Sequence, residues 1–342
     1  MLNGLCVLHI TNLCNLRCKH CYASAGNKLK DELTYEEITD IIDQLDEMNI
    51  NYITVSGGEP LAREDVFDII KYIRNKNINV MITTNGTLID EQVIKKLKEL
   101  KVDSVQISID SHIPEVHDKF RGEVGCFEKA VNGIRLCKKN DIKVSLMSTL
   151  STINRENINE LIQFAVNLGV DGFAMERFVP EGRGNSEKEI AITSKDLKKC
   201  LEIIYSSRQK YKNCFFTTND PLFSFIDGTA EVMYSLTKEN KNLCGGCSLG
   251  KMAFIITPDG EVGMCTRLYT KIGSIREKKI KQIIEENKLL NTICNRDNLK
   301  GKCGRCKYKK ICGGCRGWAY QTTGDYLGED NLCWLSEEEI SL

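Results

Sequence analysis

The chain has 342 residues, with 47 basic and 47 acidic side chains and a formal net charge of zero, which suits one large domain and a smaller one and argues against nucleic acid as the main partner, since that favours a basic footprint. The N-terminus lacks the basic, apolar and cleavage-site order of a signal peptide, and no apolar run approaches the roughly 20 residues that span a bilayer, so a cytoplasmic protein without a membrane partner is expected. Seventeen cysteines in such a chain point to metal ligation rather than disulfides, and most of them fall in two groups, at 14–21 and 244–333.

Six short apolar runs, at residues 5–10, 52–56, 78–84, 103–109, 142–150 and 170–178, are rich in Ile and Val and nearly uninterrupted. They read as strands buried on both faces. Between them lie helical patterns. Thr34-Tyr35-Glu36-Glu37 predicts a capping box, and Ile38, Ile41, Ile42, Leu45 and Met48 form one apolar face. Ile158, Leu161, Ile162, Ala165 and Leu168 repeat the pattern, with Gly169 as the stop. The alternation predicts an α/β fold with a parallel sheet and right-handed crossovers. Six units are too few for the eight-fold barrel, so an open, partial (β/α)6 TIM-like barrel is expected over residues 1–185. A loop at Pro180-Glu181-Gly182-Arg183-Gly184 and a helix over 194–212 predict a helical bridge, 186–243, leading to a small cysteine-rich domain, 244–342.

The distinctive residues fall at the ends of these strands, where parallel α/β folds place their active sites. Cys14, Cys18 and Cys21 follow the first strand as CxxxCxxC. Three thiolates at this spacing fit three corners of a [4Fe–4S] cube and leave the fourth iron without a nearby ligand. A cube held by four cysteines mostly moves electrons; one held by three has an iron free for a substrate or cofactor. The other readings are a zinc knuckle or three buried thiols, although zinc sites usually pair CxxC with a second CxxC or with His. Gly57-Gly58-Glu59-Pro60 follows the second strand, Thr84-Asn85-Gly86 the third, and Glu176-Arg177 closes the sixth. Ser108 and Asp110 alternate with Ile107 and Ile109 at the end of the fourth strand, so both point to one face.

The cysteine triad resembles the signature of the radical S-adenosylmethionine (SAM) superfamily. The resemblance implies that the open iron chelates the amino and carboxylate groups of SAM's methionine. It implies one-electron cleavage of SAM to methionine and a 5′-deoxyadenosyl radical that abstracts a substrate hydrogen, with a flavodoxin- or ferredoxin-type reductant. Gly57-Gly58-Glu59 looks like the family's GGE motif, which implies contact with the methionyl ammonium; an ordinary βα turn is the other reading. By resemblance Asp110 is a ribose ligand, Ser108 a carboxylate or ribose ligand, and Asn85 part of the same cofactor site. Arg121 reads either as a bidentate clamp on the methionyl carboxylate or as a surface arginine. Family members often carry an aromatic residue just before the third cysteine, near adenine; here that position is His20, with Tyr22 just after.

The second group runs Cys244, Cys247, Cys265, Cys303, Cys306, Cys312, Cys315 and Cys333. Cys247, Gly260 and Cys265 resemble the opening of the SPASM domain, Cys303–Cys306 with Cys312–Cys315 its central motif, and Cys333 its last cysteine. Two residues separate Cys312 and Cys315 where three are commoner. The resemblance implies two auxiliary [4Fe–4S] clusters, one on Cys244, Cys247, Cys265 and Cys315 and the other on Cys303, Cys306, Cys312 and Cys333. A zinc ribbon is the rival, since paired CxxC motifs are what ribbons use. A basic run at Lys300, Lys302, Arg305, Lys307, Lys309 and Lys310 either offsets cluster charge or is a solvated face. Of the remaining cysteines, Cys126 and Cys214 are candidate hydrogen-atom donors, as thiols are in related peptide epimerases.

SPASM-type enzymes mostly modify ribosomally made peptides or proteins, so the resemblance implies a peptide or small-protein substrate that is crosslinked, epimerised or oxidised. No small peptide-binding domain fits before Cys14, which implies a separate peptide-recognition protein or none at all. The alternative is a radical SAM enzyme that remodels heme or other tetrapyrrole side chains. A non-catalytic zinc or iron–sulfur scaffold is the third reading.

Overall fold

The structure is a computed structural model and describes residues 4–239, 245–249 and 253–341. Among the described residues, ten strands form one sheet: β1 (Leu5–His9), β2 (Tyr52–Ser56), β3 (Asn79–Thr84), β4 (Ser104–Ser108), β5 (Val144–Leu150), β6 (Gly172–Arg177), β7 (Phe215–Thr217), β8 (Ala253–Ile256), β9 (Glu261–Cys265) and β10 (Leu268–Ser274). Their order is β10-β9-β8-β1-β2-β3-β4-β5-β6-β7, and pairing is parallel from β8 through β7. The six expected strands therefore sit at the centre as an open partial barrel. The bridge adds β7 to one edge. The rear segment adds β8 to the other and then turns back through the antiparallel pair β9 and β10, which covers the β1 edge that would otherwise expose unpaired backbone.

The crossover helices are α1 (Tyr35–Glu47), α2 (Val66–Asn75), α3 (Glu91–Glu99), α4 (Pro114–Arg121), α5 (Cys126–Lys139) and α6 (Ile158–Asn167). The Thr34–Glu37 capping box forms as the sequence predicts, with both reciprocal bonds made. The helix of the bridge is α7 (Ser194–Lys210), with its own capping box at Thr193 and Asp196. Among the described residues, no helix is long and apolar enough to cross a membrane.

One sequence expectation fails. The strands are not apolar on both faces. Cys6, Leu8, Ile53, Val55, Val80, Ile82, Val105, Ile107, Val144 and Leu146 are buried in the core. The alternate positions pair side by side across the sheet as Val7, Thr54, Met81 and Ser104, then Thr83, Gln106 and Ser145, then Ser108, Met147 and Ala174, with Thr149 beside Glu176. A closed eight-stranded barrel fills this interior with branched apolar side chains. Here the inner face carries mostly hydroxyls, amides and one carboxylate, and most are only half-buried. It is a polar lumen that ends at the motif-bearing rim.

Candidate active site and cysteine centres

The cysteine loop leaves the end of β1 and is fixed from the ends of two other strands, β2 and β6. The Gly58 and Glu59 N–H groups donate to Thr11 O and Leu13 O at 2.7 and 2.8 Å. A Cβ on Gly58 would lie 2.3 Å from Leu13 O, and one on Gly57, at φ +147°, 2.4 Å from Thr11 O. These glycines therefore permit contact with the cysteine loop itself. The loop is gripped again from the end of β6: Arg183 donates through its backbone N–H to Cys21 O at 2.9 Å and through Nε to Cys18 O at 2.7 Å. Arg183 was legible only as part of a Gly-rich loop, because its targets lie 158 to 165 residues away.

Cys14, Cys18 and Cys21 come together in one small cluster with Leu16 and Cys126. The Leu16 N–H donates to Cys14 Sγ and the Ala25 N–H to Cys21 Sγ, each at 3.4 Å. Burial pushes the Cys14 thiol up to about 11, with the charges of Cys18 and Cys21 acting in the same direction. Burial also raises Cys18, against the pull of Arg121. Thiols in this environment ionise when a cation binds them, and the N–H donors aimed at sulfur suit thiolates. The donor set fits an iron–sulfur group.

The expected SAM contacts are partly committed to one another. Glu59 has no exposed surface; its carboxylate accepts from Thr84 Oγ1 at 2.7 Å, Asn85 N at 2.8 Å and Leu61 N at 3.2 Å. Burial pushes it up to about 7 despite these donors. The carboxylate thus ties β2 to β3 rather than facing a ligand, and only the half-buried Gly57 and Gly58 backbone is presented outward. Asn85 holds Asn15 Oδ1 at 2.9 Å and caps the Thr87 turn, so its side chain also serves the cysteine loop. Arg121 is not a surface arginine. It is ion-paired to Asp110 at 2.6 Å, with both side chains buried. Asp110 also accepts the Thr149 N–H at 2.9 Å. Ser108 stays half-exposed on the lumen face. His20 stacks on Phe120, with ring centroids 4.2 Å apart, and burial lowers its pKa to about 3. The Tyr22 hydroxyl meets His9 Nε2 at 2.8 Å.

The two hydrogen-donor candidates are both buried. Cys126 has no exposed surface, and its thiol donates to Asp118 Oδ1 at 3.2 Å; it is packing behind the cysteine loop. Cys214 directly precedes β7, which runs parallel to β6. It therefore lies at the amino ends of the strands, with Asp171 and Lys138 as its charged neighbours, across the sheet from the rim.

The rear cysteines form two sets. Cys303, Cys306, Cys312 and Cys333 line one cavity with Lys302 and Asp330. Cys247, Cys265 and Cys315 are mutual neighbours, and burial pushes Cys265 up to about 11 against the nearby Arg267. Cys244 lies outside the described residues. N–H donors again aim at sulfur at 3.4 Å: Arg267 to Cys265, Tyr308 to Cys306, Gly314 to Cys312 and Asp330 to Cys303. Among the described residues, no three His, Cys, Asp or Glu side chains close on a single-ion position; the four cysteines stand around a cavity instead.

The basic run contributes less than its sequence suggests. Lys300 pairs with Asp325, Arg305 with Glu337 and Lys309 with Asp297; Lys302 turns inward, to the carbonyls of Cys333 and Leu335. Two cations beside the sulfurs are ones the sequence did not single out. Arg316, without exposed surface, reaches Cys303 Sγ at 3.7 Å. Arg267, beside Cys265 and Cys315, lies 3.5 Å from Glu176.

Residues 8–165 match the family model of the radical SAM superfamily, and residues 247–315 that of SPASM, an iron–sulfur cluster-binding domain. An AdoMet-dependent heme synthase from Methanosarcina barkeri is 33% identical over 330 residues, covering 95% of this chain and 94% of that protein. A mycofactocin maturase from Mycolicibacterium smegmatis is 31% identical over 267 residues, 75% of this chain and 62% of that protein. Among solved structures, Streptococcus suis SuiB bound to S-adenosylmethionine superposes with a TM-score of 0.79 at 19% identity, covering 97% of this chain and 77% of that one.

Proposed function

The chain belongs to the radical SAM superfamily and carries a SPASM domain, and on that premise we propose that it abstracts a hydrogen atom from a substrate held at the carboxyl rim of the sheet. Its cofactors are S-adenosylmethionine and [4Fe–4S] clusters. When bound, they supply the electron and the 5′-deoxyadenosyl radical of the reaction, while the protein supplies binding, orientation and exclusion of side reactions.

The observation that carries this reading is the gathering of Cys14, Cys18 and Cys21 into one cluster beside buried Arg121. These three cysteines would anchor the SAM-binding cluster. The Gly57–Gly58 backbone, Ser108 and the Asp110–Arg121 pair line the place for SAM. Cys247, Cys265 and Cys315, with Cys244, would hold one auxiliary cluster, and Cys303, Cys306, Cys312 and Cys333 the other. Both would then be closed by protein, which favours electron transfer over substrate ligation. A flavodoxin- or ferredoxin-type protein is the reductant.

For the substrate, a ribosomally made peptide or small protein is supported by the likeness to the mycofactocin maturase. One specific observation favours a tetrapyrrole instead: the likeness to the heme synthase runs end to end through both chains.

The test of the chemistry is anaerobic, reduced protein with SAM. It forms 5′-deoxyadenosine, and a variant with Cys14, Cys18 and Cys21 all replaced by Ala forms none while keeping its rear clusters. Cleavage surviving in that variant overturns the site. The substrate readings separate when turnover is followed with a propionate-bearing iron tetrapyrrole and, in parallel, with a peptide encoded beside this gene. Loss of side-chain carbon from the first or a mass change in the second decides between them.

A further inference from the structure

Arg177 and Asp330 join the end of β6 to both rear cysteine sets. Neither side chain is exposed. The Arg177 guanidinium is divided between two carboxylates: Nε and Nη2 lie 2.5 and 2.6 Å from Asp220, and Nη1 lies 3.0 and 2.9 Å from the two oxygens of Asp330. Asp330 is engaged on every side. Its Oδ2 accepts the Cys315 N–H at 2.8 Å and its Oδ1 the Leu332 N–H at 3.1 Å. Its own N–H donates to Cys303 Sγ at 3.4 Å. One residue thus holds the backbone of a cysteine in one set and the sulfur of a cysteine in the other.

A fixed charge at this position acts strongly, because water is excluded and the effective dielectric is low. A carboxylate beside an iron–sulfur cluster disfavours the added electron, whereas an N–H on a cluster sulfur favours it. Arg177 offsets part of the Asp330 charge and aims it. Arg177 also directly follows Glu176, the lumen carboxylate that faces Arg267, so the same strand end carries a charge on the inner face of the sheet.

Resting on the reading of two auxiliary clusters, we propose that Asp330, held by Arg177, is a positioning residue shared by both, which sets their reduction potentials together and links them to the end of β6. The test is a redox titration of the anaerobic, iron-loaded protein followed by electron paramagnetic resonance. Asp330→Asn removes one negative charge at nearly constant shape. Both auxiliary signals are expected to move to higher potential, while the signal of the cluster on Cys14, Cys18 and Cys21 stays in place. Two unmoved auxiliary signals, or a shift in only one, overturn the sharing. If Asp330→Asn does not retain its iron, Arg177→Lys carries the test. It keeps the charge and breaks only the fork, and unchanged auxiliary potentials in it overturn the proposal. Wild-type protein with no rear iron overturns the cluster reading itself, a failure distinct from unmoved potentials.

Discussion

Arg121 stands between Asp110 and Cys18. Its Nε and Nη2 lie 2.7 and 2.6 Å from a single Asp110 oxygen, and its Nη1 lies 3.9 Å from the Cys18 sulfur. Burial would raise the Asp110 carboxyl, but the Arg121 guanidinium together with His20, His117 and the Thr149 N–H outweighs it and holds the group below its ordinary value. The pair is therefore ionised, and it couples the end of β4 to the cysteine loop before any cofactor arrives.

Removing one member of a buried pair strands the other charge, which costs about 3–5 kcal/mol. Arg121→Ala is expected to lower the urea midpoint accordingly and to abolish 5′-deoxyadenosine formation. Arg121→Lys keeps a charge without the fork and should lose less of both. Unchanged stability in Arg121→Ala would mean that Asp110 finds another partner.

Gly58→Ala places a Cβ against two backbone carbonyls of the cysteine loop, Leu13 O at 2.3 Å and Asn12 O at 2.7 Å. Backbone cannot swing aside as a long side chain does, so the loop must move. The expected result is loss of about four irons, one cube's worth, with the rear clusters kept. Full iron content and normal SAM cleavage would show that the approach is looser than the structure has it.

The buried histidines predict acid sensitivity. Burial lowers His9 and His117 to about 4 and His20 to about 3, against roughly 6.5 in the unfolded chain. The folded state then binds fewer protons than the unfolded one between pH 6.5 and 4, so stability is full above 6.5 and falls as pH drops through that window. For His9 the full loss is on the order of 3 kcal/mol. His9→Gln can still accept from Tyr22 and does not titrate. Thermal midpoints of the anaerobic protein between pH 7.5 and 5.5 should fall less steeply in this variant, and parallel curves would count against the assignment.

Cys214→Ser tests the placement of that thiol at the amino ends of the strands. Turnover of whichever substrate is accepted should match wild type, and a variant that forms deoxyadenosine but no product would restore Cys214 as a hydrogen donor.

The local features of this fold were legible because their causes are local. The Thr34–Glu37 capping box depends on residues three apart, and the β2 run coincides with the observed strand, Tyr52–Ser56. The same runs misled on burial. Val7, Met81 and Met147 made the strands look apolar on both faces, whereas Thr83, Gln106 and Ser108 on the same inner face are polar and only half-buried. A motif also does not say what its side chain spends itself on. Glu59 and Asn85 were visible as polar residues at strand ends, but the donors to Glu59 from the end of β3 and the Asn15 acceptor of the Asn85 amide come from elsewhere in the chain.

The sequence by itself determined the class of chemistry: the CxxxCxxC spacing, the strand-helix alternation and the paired CxxC motifs are short-range patterns set by neighbouring residues. Only the tertiary structure decided which charges neutralise which. Arg177 meets Asp220 across 43 residues and Asp330 across 153, contacts that exist because parallel strands bring their carboxyl ends to one rim and the rear segment joins the same sheet. Burial then turns each such meeting into an obligatory pairing, since a lone charge removed from water is too costly to keep.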